Sequence, residues 1–148
     1  MTITGKALVE QTRTWIDTPY HHAGRIKGAG VDCIGLIVGA ARELGVEVPF
    51  DTTAYGRGDN LALMGRGLSE FCECFDDDVP ERLAGDILIF RGGSILHHVA
   101  LYAGPETDTM IHVYNAAGKV VETPVTEEWL RLLFLVYRLK ENVLKETA

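Results

Sequence analysis

The chain has 148 residues, of which 47% are hydrophobic and 24% are charged, and this balance excludes a largely disordered protein. Lys and Arg total 14 against 21 Asp and Glu, so the formal net charge of −7 gives a phosphate backbone no general attraction and speaks against nucleic-acid partners. The 3 cysteines cannot all be paired within the chain, so at least one thiol is expected to be free.

The amino-terminal residues contain no basic stretch followed by a long apolar run, so no secretory signal peptide is predicted. No apolar segment approaches the roughly 20 residues that a helix needs to cross a bilayer. We therefore expect a single domain over residues 1–148, synthesised in the cytoplasm and not inserted into a membrane. Its polar tail is expected from about residue 141 and is predicted to fray.

Apolar residues at helical spacing predict three helices in the first half of the chain. Thr4 and Asp32 stand at capping positions, and Gly45 follows the second helix where a left-handed residue is usual. The predicted helices span residues 4–17, 33–44 and 60–75, and the predicted loops span residues 18–30, which are rich in glycine, and 52–58.

From residue 86 onward the apolar period changes from 3.6 to 2, which is typical of strands. Glycine-containing pairs separate the runs and predict turns. The predicted strands are residues 86–90, 96–103, 109–114, 119–123 and 134–139, with a short helix over 127–132 capped by Thr126. Helices first and an antiparallel sheet second indicate the α+β class.

The three thiols differ in position. Cys72 and Cys74 stand two residues apart in the third predicted helix, where their side chains diverge, and are interpreted as small apolar packing residues. Cys33 stands in the first turn of the second helix, where the positive end of the helix dipole stabilises a thiolate. The unpaired N–H groups there could also donate to an oxyanion. Position alone leaves Cys33 open as a nucleophile or as a core residue.

A nucleophilic cysteine needs a base, and the base needs an orienting partner. Alternation along the second and third strands puts His98 and His112 on matching faces, so the two rings are expected side by side. The small Ala100 is expected to leave room for the Cys33 helix on that same face. The predicted constellation is Cys33, His98 as the base, and His112 as the residue that orients its ring.

Two other interpretations of the histidines stay open. A register slip by one residue would put His97 in the place of His98. Histidines and a cysteine could also surround zinc, but no C-x-x-C or H-E-x-x-H spacing is present, and the adjacent His21 and His22 are a weak signal. We expect neither a metal nor another cofactor.

Several short motifs follow one another along the chain. They are Thr18-Pro19-Tyr20 with Gly24, Asp32-Cys33-x-Gly35-Leu36, Gly85-Asp86-Ile87-Leu88-Ile89-Phe90, His98-Val99-Ala100-Leu101-Tyr102 and Ile111-His112. In this order they resemble the NlpC/P60 family of cell-wall cysteine peptidases, most closely its phage-type branch. The resemblance implies a compact papain-like fold in which a helix bearing the cysteine packs on an antiparallel sheet bearing the histidines.

The resemblance also implies roles for individual residues. By the family pattern, Cys33 matches the nucleophile, His98 the general base and His112 the third polar residue. Tyr20 matches a tyrosine whose hydroxyl lies near the nucleophile. With His22 and Asp32 it makes up the candidate substrate-binding or oxyanion set, although Asp32 is favoured as a helix cap, just as Asp86 is favoured as a turn residue.

The chain departs from the family pattern at two places. Ile34 follows the cysteine where the family more often has Ser, although apolar residues also occur at this position in phage-type members. The segment His22-Ala23-Gly24 stands where the tyrosine loop usually ends in Trp-Gly-Gly, so His22 is expected to alter the substrate pocket.

The implied function is hydrolysis of the peptide stem of peptidoglycan, at the bond between γ-D-glutamyl and a diamino acid. The phage-type resemblance implies a place among phage tail proteins and action at the cell wall as part of a virion or phage-like particle. Two alternatives stay open: a structural tail-tip or assembly subunit with a vestigial site, and an acyltransferase with the same three residues.

Overall fold

Two helices open the structure, a computed structural model that describes residues 4–46, 72–76, 81–92 and 96–140. Helix α1, Gly5–Arg13, begins where the Thr4 hydroxyl accepts a hydrogen bond from the N–H of Ala7 at 2.9 Å. A two-stranded ladder follows, formed by β1, Arg25–Ile26, and β2, Gly30–Val31. The two predicted caps and helices are confirmed, although α1 ends earlier than predicted.

Helix α2, Cys33–Glu43, follows directly after β2. The Asp32 side chain accepts from the N–H of Gly35 at 2.8 Å and caps the first turn. Gly45 lies beyond the last turn with φ +89°, the left-handed conformation that was predicted for it. The ladder of β1 and β2 lies within the predicted loop over residues 18–30, because strands of two residues leave no periodic pattern to detect.

The remaining elements form an antiparallel sheet of six strands. The strands are β3, Cys72–Asp76; β4, Ile87–Gly92; β5, Leu96–Gly104; β6, Thr109–His112; β7, Val121–Pro124; and β8, Leu133–Leu139. Their order across the sheet is β3-β8-β4-β5-β6-β7. The short helix α3, Glu127–Leu130, connects β7 to β8 and is capped by Thr126 as predicted. The α+β class is therefore confirmed.

The helix predicted over residues 60–75 is wrong over the part of it that the structure describes. Residues 60–71 of that prediction, like the predicted loop over 52–58 and the tail from 141, lie outside the described residues, but Cys72–Asp76 is strand β3. It pairs with β8 from Cys72↔Leu139 to Asp76↔Leu135, and these ladder hydrogen bonds outweigh the local helical spacing. Cys72 is buried as predicted, whereas Cys74 is exposed.

The central strands β4, β5 and β6 are largely buried on both faces of the sheet, which is why they are so apolar. On one face α1 and α2 cover a helix-side core whose sheet residues include Ile87, Ile89, Val99, Leu101 and Ile111. On the other face α3 packs against an opposite core that includes Leu88, Phe90, Ala100, Tyr102, Met110 and Val136. Ala100 therefore does not make room for the Cys33 helix, which lies on the other side of the sheet. That prediction is wrong because alternation separates two faces but does not say which one a helix covers.

The motif Gly85-Asp86 joins α1 to the sheet. Gly85 has φ +91°, and a Cβ at this position would come within 2.5 Å of the Gly5 Cα, so only glycine fits between the start of α1 and the start of β4. The carboxylate of Asp86 is fully buried and accepts from Nε and Nη2 of Arg138, both at 2.9 Å, and from the N–H of Leu83 at 2.9 Å. The predicted turn residue thus also holds a buried ion pair to β8.

Substitution of Asp86 by asparagine is expected to reduce the free energy of unfolding by about 3 kcal/mol, because it leaves the Arg138 guanidinium without its counter-charge. Urea unfolding at neutral pH measures the loss. The matched control is Lys119→Gln, which breaks the exposed pair between Lys119 and Asp17 and is expected to cost roughly 1 kcal/mol or less. Equal losses in the two variants would contradict a stabilising role for the buried pair.

Candidate active site

Asp32 organises the amino terminus of α2. Besides capping Gly35, its carboxylate accepts from the N–H of Ala23 at 2.9 Å and from Nη1 of Arg25 at 2.9 Å. The Asp32 side chain is 7% exposed and that of Arg25 15% exposed, so the pair is largely withdrawn from water. The helix cap predicted for Asp32 is confirmed, and the same carboxylate anchors the loop that precedes β1.

Close backbone contact explains the glycine two residues after the cysteine. A Cβ on Gly35 would lie 2.4 Å from the carbonyl oxygen of Gly24 and 2.7 Å from Nη1 of Arg25. A Cβ on Gly24 would in turn lie 2.5 Å from the carbonyl oxygen of Gly30. These two glycines let the loop lie directly on the first turn of α2, so the loop residues and Cys33 belong to one site.

Tyr20 and His22 both lie in this loop. The N–H of Tyr20 donates to the carbonyl of Gly118 at 2.9 Å, and Tyr20 forms a parallel bridge with Val31, two residues before Cys33. Tyr20 is half-buried against the helix-side core. His22 is half-buried two residues further on, beside the Ala23 N–H that binds Asp32. The structure thus gathers Tyr20, His22, Asp32 and Cys33 at one end of α2.

The Cys33 thiol is in a different electrostatic state from the one its position predicts. Burial and the neighbouring Asp32 carboxylate raise the pKa of Cys33 to about 12, although hydrogen bonds from the backbone N–H groups of Val99, Ile34 and Cys33 itself act to lower this pKa. The thiol is therefore protonated at rest near neutral pH. Stabilisation by the helix end does not overcome the cost of placing a thiolate away from water.

The contact with Val99 shows how the thiol reaches the sheet. Strands β5 and β6 pair from Leu101↔Ile111 onward, so Val99 lies beyond this end of their ladder. Its N–H contributes a hydrogen bond to the Cys33 thiol instead. The sulfur therefore lies at the backbone of β5, against the peptide that joins His98 to Val99. Helix α2 itself packs on one face of the sheet, whereas the His98 ring lies on the other.

His98 and His112 lie side by side, as the strand alternation predicts. Nε2 of His98 is 2.8 Å from Nδ1 of His112, and Nε2 of His112 is 2.8 Å from the Thr123 hydroxyl. His112 is fully buried and His98 half-buried. The histidine that contacts His112 is therefore His98, and not His97 as a register slip by one residue would have required.

Aromatic rings enclose the two histidines. The indole of Trp129 in α3 lies 5.3 Å from the His98 ring and 5.5 Å from the His112 ring, measured between centroids. Tyr114 lies 5.4 Å and 5.2 Å from the same two rings. Sequence reasoning missed the contacts of Trp129, Tyr114 and Thr123 with the histidines. Strand alternation does place Tyr114 on the His112 face, but it does not reveal how close the rings lie.

This enclosure keeps both imidazoles neutral. Burial, together with the nearby His112, lowers the pKa of His98 to about 3, and burial lowers the pKa of His112 to about 4. A neutral imidazole has one lone pair and one N–H, so each ring can accept a proton at one nitrogen while donating at the other. At neutral pH the site therefore combines a neutral thiol with neutral imidazoles.

These lowered pKa values predict an acid-sensitive fold. An unfolded histidine takes up a proton near pH 6.5, whereas the folded rings resist protonation until about pH 4 and pH 3, so the free energy of unfolding should fall as pH drops below 6.5. Urea unfolding at pH 7, 6 and 5 measures this fall. The His98→Gln/His112→Gln double variant removes both groups and should show a smaller fall. If the free energy of unfolding fell equally with pH in the wild-type chain and in the double variant, the two histidines would not be the source of the acid sensitivity.

No trio of His, Cys, Asp or Glu among the described residues is arranged to hold a metal ion. None of the described helices combines the length and apolarity that crossing a bilayer requires.

Comparison with known proteins adds independent findings. The NlpC/P60 family profile matches residues 17–138. The murein DD-endopeptidase MepS/murein LD-carboxypeptidase of Escherichia coli is 26% identical over 123 residues, which cover 82% of this chain and 56% of MepS. The chain thus spans about half the length of the curated relatives it matches.

Solved structures show the same fold. An NlpC/P60 family protein from Bacillus cereus superposes with a TM-score of 0.67 at 25% identity, covering 93% of this chain and 41% of the other. The peptidoglycan hydrolase RipB from Mycobacterium tuberculosis superposes with a TM-score of 0.60 at 20% identity, covering 96% of this chain and 65% of RipB.

Proposed function

Since the chain belongs to the NlpC/P60 family, we propose that it is a cysteine peptidase that hydrolyses the peptide stem of peptidoglycan. One observation carries this proposal: the Cys33 thiol, at the start of α2, accepts a hydrogen bond from the backbone N–H of Val99, the residue after His98 on β5, and the His98 ring is held by His112. A nucleophilic thiol, a base that takes its proton and a third residue that orients the base are the components of a cysteine peptidase site, and Cys33, His98 and His112 supply them.

Acylation begins from the neutral pair. The Cys33 sulfur attacks the carbonyl carbon of the scissile amide while its proton passes to His98. Because Nε2 of His98 is engaged by His112, Nδ1 is the nitrogen that takes this proton. The backbone N–H of Cys33, with the Tyr20 hydroxyl, holds the oxyanion of the tetrahedral intermediate.

Collapse of that intermediate completes the first half of the reaction. The proton on His98 passes to the departing amine, the C–N bond breaks, and the acyl group remains on Cys33 as a thioester. His98 then removes a proton from water as its oxygen attacks the thioester. The C–S bond breaks, the carboxylic acid leaves, and the proton returns to the Cys33 sulfur.

We further propose the bond between γ-D-glutamyl and a diamino acid as the one cleaved, because the ordered motifs resemble peptidases with that preference. MepS is named for a different bond, since it is a DD-endopeptidase and an LD-carboxypeptidase. The departure at His22-Ala23-Gly24 lies in the loop that faces Cys33, so the stem residues accepted are expected to depend on this loop.

A phage tail is the proposed setting, with tail proteins as partners and the cell wall as the place of action. Support comes from the phage-type character of the motifs, including Ile34 after the cysteine. The net charge of −7 offers no attraction to an anionic wall, which favours delivery by a larger particle.

The test uses defined muropeptides, one with an uncrosslinked stem and one crosslinked dimer, with products identified by mass spectrometry. Cleavage between D-glutamate and the diamino acid is expected from both. Cleavage of the crosslink alone would replace the proposed bond with one like that of MepS. No product from either substrate would overturn the proposed activity in favour of a structural subunit, and transfer to an added amine would favour the acyltransferase.

A further inference from the structure

The hydrogen-bonded chain of the site has a third member beyond the two histidines. We propose that Thr123 is a positioning residue that fixes the tautomers of His112 and His98, so that His98 presents a lone pair to the Cys33 thiol. The expected effect on kcat rests on the proposed function, whereas the tautomers of the two rings do not depend on it. Its basis is the contact between the Thr123 hydroxyl and Nε2 of His112 at 2.8 Å.

The register of the sheet places Thr123 where it can act. Met110↔Thr123 and His112↔Val121 are direct partners between β6 and β7, so Thr123 lies diagonally across from His112 on the same face. His112 is 0% exposed, and both of its ring nitrogens are within hydrogen-bond distance of a protein atom. A buried N–H without an acceptor is costly, so the two neighbours together decide which nitrogen bears the proton.

Only one arrangement of protons makes His98 a base toward the thiol. If Nε2–H of His112 donates to Thr123, then Nδ1 of His112 accepts from Nε2–H of His98, and Nδ1 of His98 keeps its lone pair. In the reverse arrangement Nδ1–H of His112 donates to Nε2 of His98, and the proton of His98 then occupies Nδ1. We assign the Thr123 hydroxyl as the acceptor of this bond, and that assignment selects the first arrangement, whereas a hydroxyl that donated to Nε2 of His112 would select the reverse one.

Removal of the hydroxyl should reverse this preference. In Thr123→Val, Nε2–H of His112 would point at a methyl group, so the proton of His112 should move to Nδ1 and that of His98 to Nδ1 as well. We expect kcat for muropeptide hydrolysis to fall roughly 10- to 100-fold, since an unpaired buried N–H costs about 1–3 kcal/mol. KM should change little, because Thr123 acts through His112. Thr123→Ser keeps the hydroxyl and should keep kcat.

The test reads the tautomers directly, by nitrogen-15 NMR of the imidazole rings without substrate at pH 7. In the wild-type chain, Nδ1 of His98 should have the signal of an unprotonated ring nitrogen and Nε2 that of a protonated one. Thr123→Val should exchange the two signals. Thr109→Val is the matched control, because its hydroxyl contacts Glu122 and not a histidine, and it should leave them in place.

The outcomes separate this inference from the proposed function. A proton on Nδ1 of His98 in the wild-type chain would overturn the inference without any variant. Unchanged tautomers and unchanged kcat in Thr123→Val would overturn it as well, even if muropeptides are cleaved. If muropeptides are not cleaved by any form, the proposed function fails, while the NMR signals still decide the role of Thr123.

Discussion

Hydrolysis of muropeptides is expected to fall at least roughly 10,000-fold when Cys33 is replaced by alanine, because the variant has no sulfur to form the thioester. Residual cleavage would have to come from water activated by His98 alone. The measurement is product formation over time, with mass spectrometry to detect the acyl-enzyme in the wild-type chain and its absence in Cys33→Ala. Cys33→Ser keeps the shape of the side chain but supplies a weak nucleophile, and it should be nearly as inactive.

Cys74→Ser is the matched control for this experiment. Cys74 is exposed on β3, so its replacement removes a thiol without disturbing the core or the site. Full activity of Cys74→Ser together with loss of activity in Cys33→Ala would assign catalysis to one thiol. Wild-type rates in Cys33→Ala would refute the nucleophile assignment.

Local signals predicted the part of the site that lies on α2. A cap, a helix start and a helix end depend on residues close together in the chain, and Asp32 and Gly45 both occupy the predicted positions. The side-by-side placement of His98 and His112 also followed from sequence, because alternation is a property of each strand and the two strands are neighbours.

Contacts between distant elements could not be predicted in the same way. Trp129 meets the histidines only because α3 docks on that face of the sheet, and Thr123 meets His112 only through the register of β6 and β7. The raised pKa of Cys33 likewise depends on burial against β5, which the helix position does not reveal. The helix predicted over residues 60–75 is wrong at β3 because Cys72 and Phe75 continue a helical spacing, and only the pairing with β8 shows that they lie on a strand.

The segment His22-Ala23-Gly24, which departs from the Trp-Gly-Gly expected from the resemblance, also contains a residue in an unusual backbone conformation. Ala23 has φ +59°, a left-handed conformation that costs a residue with a Cβ roughly 1–2 kcal/mol and glycine very little. The N–H of Ala23 donates to Asp32, and this bond helps to hold the strained residue in place. The loop thus keeps a backbone path that glycine would allow, so we expect any effect of this departure on the substrate to come from the side chain of His22.

His98 is expected to be the second residue whose loss nearly abolishes activity. His98→Gln keeps a side chain that can donate to His112 but cannot take the thiol proton, so kcat should fall roughly 1,000-fold or more. The fall should persist at every pH from 5 to 9, because no protonation state of glutamine restores a base. If the activity of His98→Gln recovered at high pH, where the thiol loses its proton to solvent, the main role of His98 would be to deprotonate Cys33.

The same measurement on His112 separates orientation from proton transfer. His112→Asn offers a carbonyl oxygen that can still accept from Nε2–H of His98, whereas His112→Ala offers nothing at that position. If His112 acts by holding the ring, His112→Asn should retain far more activity than His112→Ala, with unfolding measured in parallel to exclude loss of the fold. Equal losses would mean that an acceptor alone is not enough, and that the buried imidazole itself is required to support the charge on His98.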